Sequence, residues 1–124
     1  MIVVDSSGWL EYAGEGNNAS LFAPLVENTS ELIVPSICIT EVFKRLARQR
    51  DEATAFKVLS AMQLGRIVDL DLNIALMAAR IGLETGLPLA DSIILATART
   101  NRATLWTQDA DFKGIPGVKY VRHH

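Results

Sequence analysis

Leu89-Ala90-Asp91-Ser92-Ile93-Ile94-Leu95-Ala96-Thr97-Ala98 is the stretch whose reading decides the fold. It follows Pro88, a residue suited to the first turn of a helix, and it is apolar along nearly its whole length. A helix apolar on all sides belongs in the interior. Shortly after it comes Thr104-Leu105-Trp106, a brief apolar run readable as a strand. A buried helix feeding a buried strand is half of a parallel α/β unit. The one carboxylate of the stretch, Asp91, sits in the first turn of the helix, where burying it is costly unless a cation compensates it.

The same alternation extends in both directions. Ile2-Val3-Val4 reads as a strand ended by Asp5-Ser6-Ser7-Gly8, and the serine hydroxyls are expected to cap a helix begun by Trp9, Leu10 and Tyr12. Gly14 and Gly16 stop it, and Asn17 or Asn18 starts another that runs to Glu27. Leu32-Ile33-Val34 is a second strand, closed by Pro35. Ser36 is the expected N-cap of a helix to Arg50, in which Ile39, Val42, Phe43 and Leu46 recur at helical spacing. A helix from Glu52 to Leu64, a strand at Arg66-Ile67-Val68 and a helix capped by Asp71 and stopped by Gly86 lead back to the Leu89 stretch. After a turn at Gly114 to Gly117, Val118-Lys119-Tyr120-Val121 supplies a final strand. The expectation is an α/β fold with a parallel central sheet covered on both faces, forming one domain over residues 1–124.

At 124 residues, 49% of them hydrophobic, the chain can bury a single core. No window reaches the roughly 18 uninterrupted apolar residues of a membrane span. The N-terminal residues lack the basic and small-residue features of a secretory signal. The expected location is therefore cytoplasmic. Cys38, flanked by Ile37 and Ile39, reads as a buried filler. A net charge of −2 does not mark a nucleic-acid binder, so a polyanion would have to be met by local basic groups or bound metal. The His123-His124 pair, native or the start of a purification tag, is assigned no function.

Four carboxylates stand at or beyond the ends of apolar runs: Asp5, Glu41, Asp91 and Asp109. In open parallel sheets, ligands gather outside the carboxyl ends of the strands. Asp5 and Asp109 follow strands, and Asp91 opens a helix that must begin on that same edge. Glu41 lies in the early turns of a helix whose side chains lean towards its N-terminus. Each acid also has an ordinary explanation. Asp5 can cap a helix, Asp91 can face a helix dipole, Glu41 can pair with Arg45, and Asp109, or its equivalent Asp111, can cap a turn. Their joint placement favours one divalent-metal site. Oxygen ligands without clustered His or Cys select Mg²⁺ or Mn²⁺.

The segments Met1-Ile2-Val3-Val4-Asp5-Ser6-Ser7, Leu89 to Ala98 and Leu105-Trp106-Thr107-Gln108-Asp109-Ala110-Asp111-Phe112, with Glu41 between them, resemble the PIN-domain ribonucleases. The small size is most similar to the VapC-type toxins of type II toxin–antitoxin pairs. The resemblance implies a three-layer PIN-like fold with sheet order 3-2-1-4-5. It also implies Mg²⁺- or Mn²⁺-dependent hydrolysis of RNA phosphodiester bonds by metal-activated water, a VapB-type antitoxin and a homodimeric toxin. By the same resemblance Asp5, Glu41, Asp91 and Asp109 match the family's acidic quartet, with Asp111 competing for the fourth place, and Ser6 and Thr107 match the hydroxyls that orient it.

Lys44, Arg45 and Arg48 share a helical face with Glu41 and are expected to form a basic rail for RNA phosphates. Phe43, Ala47, Phe56, Leu59 and Met62 are expected to offer an apolar groove to the antitoxin, core packing being the plain alternative. Two other classes compete. A receiver-like, Mg²⁺-binding phosphoacceptor domain would use an Asp directly after the third strand, where Asp69 stands. A noncatalytic interaction module would keep the scaffold and lose the activity.

Overall fold

The computed structural model describes residues 1–123; His124 lies outside the described residues. Five parallel strands form one sheet: β1 (Ile2–Val4), β2 (Leu32–Pro35), β3 (Arg66–Val68), β4 (Thr104–Thr107) and β5 (Val118–Tyr120). Their order is β3-β2-β1-β4-β5, as the resemblance implies. The six helices are α1 (Ser6–Ala13), α2 (Ala19–Glu27), α3 (Ser36–Gln49), α4 (Glu52–Met62), α5 (Leu72–Thr85) and α6 (Leu89–Thr100). A 3-10 turn at Ala110–Phe112 separates β4 from β5.

Why the chain adopts this arrangement is clearest at its centre. All four residues of β2 are buried, as are Val3 and Val4 of β1, which is the signature of strands covered on both faces. Every residue from Ser92 to Ala98 is buried, so α6 is a core helix, as its composition predicts. Full burial of each of Ile94 and Leu95 contributes about 1.5–3 kcal/mol, which commits this helix to the interior and fixes the position of its first turn. No single helix among the described residues is long and apolar enough to cross a membrane.

Several local expectations are corrected. The cap of α1 is neither serine but Asp5, whose carboxylate accepts from the Gly8 N–H at 3.1 Å. Ser36 is not an N-cap: β2 runs through Pro35, and the proline's φ of −60° sets the turn into α3 without a side-chain cap. Met62 faces the core at 1% exposure and cannot line a surface groove. Asp71 does cap α5, accepting from the Ile74 N–H at 2.9 Å. Gly8 is demanded by packing, since a Cβ there would lie 2.5 Å from Val4 Cγ1 and 2.8 Å from Phe22 Cε1. That close approach holds the start of α1 over the end of β1.

Candidate metal centre

The chain's progression reverses at β1: β2 and β3 extend the sheet to one side, β4 and β5 to the other. Such a switch point leaves a crevice at the carboxyl edge. Val4 pairs with Trp106, and the Asp5 N–H donates to the Trp106 carbonyl at 3.1 Å. The residues that follow β1 and end β4 are thereby brought side by side.

Asp5 is 2% exposed and both its oxygens are engaged. Oδ1 accepts from Ser7 Oγ at 2.7 Å as well as from Gly8 N–H, and Oδ2 accepts from Thr107 Oγ1 at 2.7 Å. Thr107 Oγ1 also accepts from the Asp109 N–H at 2.9 Å, and Ser7 Oγ from the Gln108 N–H at 3.2 Å. The loop carrying Asp109 is thus tied to Asp5 through two hydroxyls. Ser6 serves a different acid, donating to Glu41 Oε1 at 2.6 Å. Thr107 hydrogen-bonds Asp5; Ser7, which holds the other oxygen, escaped the sequence reading because it sits beside Ser6 with nothing local to distinguish the two.

Asp5, Glu41, Asp91 and Asp109 all line one open cleft of about 890 Å³. Asp91, Asp109 and Asp111 can each present an oxygen within 4.8 Å of the others. The choice between Asp109 and Asp111 is therefore not forced: Asp109 accepts from the Asp111 N–H at 2.9 Å, and the 3-10 turn so capped folds Asp111 back towards Asp91. Among the described residues none of these five acids is held in an ion pair, so the expected alternative of a Glu41–Arg45 bridge is not realised.

The electrostatics record that lack of compensation. Burial pushes Asp5 up to about 6, against the opposing hydrogen bonds from Ser7, Thr107 and Gly8, and Asp109 adds to the rise. Partial burial pushes Asp91 up to about 7, with the charges of Asp109, Asp5, Glu41 and Asp111 adding to it. Carboxylates crowded on one edge, all hard oxygen donors and none ion-paired among the described residues, fit a divalent metal ion. Cys38 is fully buried nearby, and its thiol is pushed well above the ordinary range by burial, with the charges of Asp5, Glu41 and Asp91 adding to the rise.

Of the expected rail, Lys44, Arg45 and Arg48 are exposed, and Arg45 is the one that lines the cleft. Phe43 and Phe56 meet edge to face at 4.9 Å, with Phe56 54% exposed. Asp69 follows β3, an edge strand separated from β1 by β2. A receiver-like domain would have order 2-1-3-4-5 with its third strand central, so that alternative does not fit the sheet.

The profile of the PIN domain family matches residues 2–118. No curated protein matches the sequence. Among solved structures, the chain is similar to one from a toxin–antitoxin complex of Klebsiella pneumoniae, at 25% identity over 100% of both chains and a TM-score of 0.84. It also shares its fold with VapC20 of Mycobacterium tuberculosis, a Sarcin-Ricin loop cleaving toxin, at 14% identity over 94% of this chain and 95% of that one and a TM-score of 0.76. A chain of the DNA-bound VapBC complex of Salmonella typhimurium matches at 17% identity, covering 98% and 96%, with a TM-score of 0.75.

Proposed function

Because this chain belongs to the PIN domain family, we propose that it is a divalent-metal-dependent endoribonuclease and the toxin of a toxin–antitoxin pair acting in the cytoplasm. The observation that carries this reading is the gathering of Asp5, Glu41, Asp91, Asp109 and Asp111 at one sheet edge, none of them held in an ion pair among the described residues.

Asp91, Asp109 and Asp111 would hold the ion, with Asp5 and Glu41 completing its surroundings. A bound Mg²⁺ or Mn²⁺ supplies positive charge to the phosphoryl oxygens and lowers the pKa of water. The chain's own residues do the rest. Ser7, Gly8 and Thr107 fix both oxygens of Asp5, so that carboxylate cannot rotate away from the cleft. Ser6 does the same for one oxygen of Glu41. Asp91, half-buried in the cleft, would use its second oxygen to accept the proton from the attacking water. The water oxygen joins phosphorus in line, the P–O3′ bond breaks, and O3′ takes a proton from solvent as it leaves, giving a 5′-phosphate and a 3′-hydroxyl.

An antitoxin segment is proposed to seat on the α3–α4 surface bearing Phe43, Ala47, Phe56 and Leu59. The proposed homodimer uses α5, where Leu72, Leu76 and Leu83 are 73%, 54% and 88% exposed, together with Leu89 at 77%. Exposed leucines repeating along one helix face supply what an isologous contact needs.

The test is cleavage of an end-labelled single-stranded RNA. Cutting in Mg²⁺ or Mn²⁺ is expected, with 5′-phosphate products, and with loss of activity in EDTA and in Asp91→Asn. Cutting that survives excess EDTA overturns the metal requirement. A well-folded wild-type chain that cuts no RNA leaves the noncatalytic module as the better description.

A further inference from the structure

We infer that Asn18 is a positioning residue that pins the segment after β5 to the cleft wall and thereby presents Arg122 to the RNA backbone, an inference that rests on the ribonuclease reading. Asn18 occupies the N-cap position of α2, where an Asn side chain ordinarily accepts from a helix N–H. It makes no such bond. Instead Nδ2 donates to Gln108 Oε1 at 3.0 Å and to the Arg122 carbonyl at 2.9 Å, partners 90 and 104 positions away. Its backbone N–H donates to Glu11 Oε2 at 3.1 Å.

Asn18 and Gln108 are 7% and 9% exposed, so these bonds lie where water competes poorly. The Val121 N–H donates to the Thr107 carbonyl at 2.7 Å. The backbone around Arg122 is therefore held on one side by β4 and on the other by Asn18. One residue links α1 through its backbone N–H, and the loop carrying Asp109 and the segment carrying Arg122 through its side chain, at the start of α2.

Charge gives that fixation a purpose. Asp5, Glu11, Glu41, Asp91 and Asp109 line the cleft, yet neither Arg45 nor Arg122, which line it too, forms an ion pair among the described residues. The His123 imidazole is the side chain that reaches an acid there, with Nε2 3.9 Å from Glu11 Oε2. Both arginines are exposed. Guanidinium groups beside acids but unclaimed by them remain free to take phosphate oxygens, which they bind through paired N–H donors. An acidic cleft repels RNA, so cations fixed on its wall are what let a phosphodiester approach.

The experiment is steady-state cleavage of a short single-stranded RNA at saturating Mg²⁺ over a range of KCl concentrations, with Arg122→Ala, Arg122→Lys, Asn18→Ala and Asn18→Ser. Loss of one charge-assisted phosphate contact is expected to raise KM about tenfold in Arg122→Ala, with kcat unchanged. The slope of log(kcat/KM) against log[salt] should shrink by about 0.7, the value for one phosphate contact on a single strand. Arg122→Lys should restore the slope. Asn18→Ala should raise KM like Arg122→Ala, and the double variant should be no worse than Arg122→Ala alone.

Unchanged KM and slope in Arg122→Ala, while the wild type cuts RNA, overturn this inference and leave the ribonuclease reading standing. Multiplying effects in the double variant, or a fall in kcat instead of a rise in KM, overturn the positioning role. Loss of the melting transition in both Asn18 variants shows a residue needed for folding and overturns that role as well. A folded wild-type chain that neither binds nor cuts RNA overturns both readings together.

Discussion

Thr107 Oγ1 donates to Asp5 Oδ2 at 2.7 Å, joining the end of β4 to the end of β1 across 102 positions of sequence. The same hydroxyl accepts from the Asp109 N–H, so one threonine registers an acid of the first strand against an acid of the fourth. Thr107 is fully buried, and neither bond can be replaced by solvent.

Removing that hydroxyl without changing shape should therefore cost both stability and metal binding. Thr107→Val strips a donor from a buried carboxylate and an acceptor from the part-buried Asp109 N–H, with an expected loss of about 1–3 kcal/mol in urea unfolding. Mn²⁺ affinity should fall about 10–100-fold, as for other groups that orient ligands. Thr107→Ser should keep most of both. Full metal affinity in Thr107→Val would show that this hydrogen bond does not prepare the site.

The pH dependence of stability has a definite sign in the metal-free protein. Asp5, at about 6, and Asp91, at about 7, hold protons more tightly folded than unfolded, where an Asp titrates near 4, roughly its value in model peptides. Their contribution is full below about pH 4 and is lost once the pH passes about 7. The melting temperature in EDTA should fall between pH 5 and pH 8. Asp91→Asn should flatten the upper part of that fall. Saturating Mn²⁺ should reverse it, because metal binds the deprotonated acids. A melting temperature in EDTA that climbs steadily to pH 8, with no fall attributable to Asp91, would contradict the picture.

Much of this was legible in the sequence, and the reasons differ by level. Alternating strands and helices announced the parallel sheet because each apolar run is short and bounded by Gly, Pro or Asp. Asp91 stood out because it is the one charge in the apolar 89–98 stretch. Caps were harder: Asp5, Ser6 and Ser7 all prefer cap positions, and only the tertiary pull of Thr107 and Glu41 assigns each a separate partner. Asp111 was underrated because its approach to Asp91 depends on a 3-10 turn that propensity does not foresee. Arg122 was invisible, since its position depends on Asn18, far away in the chain.

The α5 leucines offer a check on assembly that is independent of the acids. Leu83→Lys, at 88% exposure, should cost the folded monomer little but place a charge in the proposed homodimer contact. Sedimentation velocity should show a dimer for the wild type and a shift to monomer for Leu83→Lys with an unchanged melting transition at low protein concentration. A dimer untouched by Leu83→Lys and by Leu76→Lys would place the contact elsewhere.

The central claim is that the acids tolerate one another at this sheet edge because a divalent ion belongs among them. Isothermal titration of Mn²⁺ into the EDTA-stripped, dialysed wild-type protein at pH ~7.5, above the raised values of both Asp5 and Asp91, tests it directly. The account predicts saturable binding with proton release, abolished in a folded Asp91→Asn variant. Absence of saturable binding to the folded wild type, or binding that Asp91→Asn leaves intact, would contradict it.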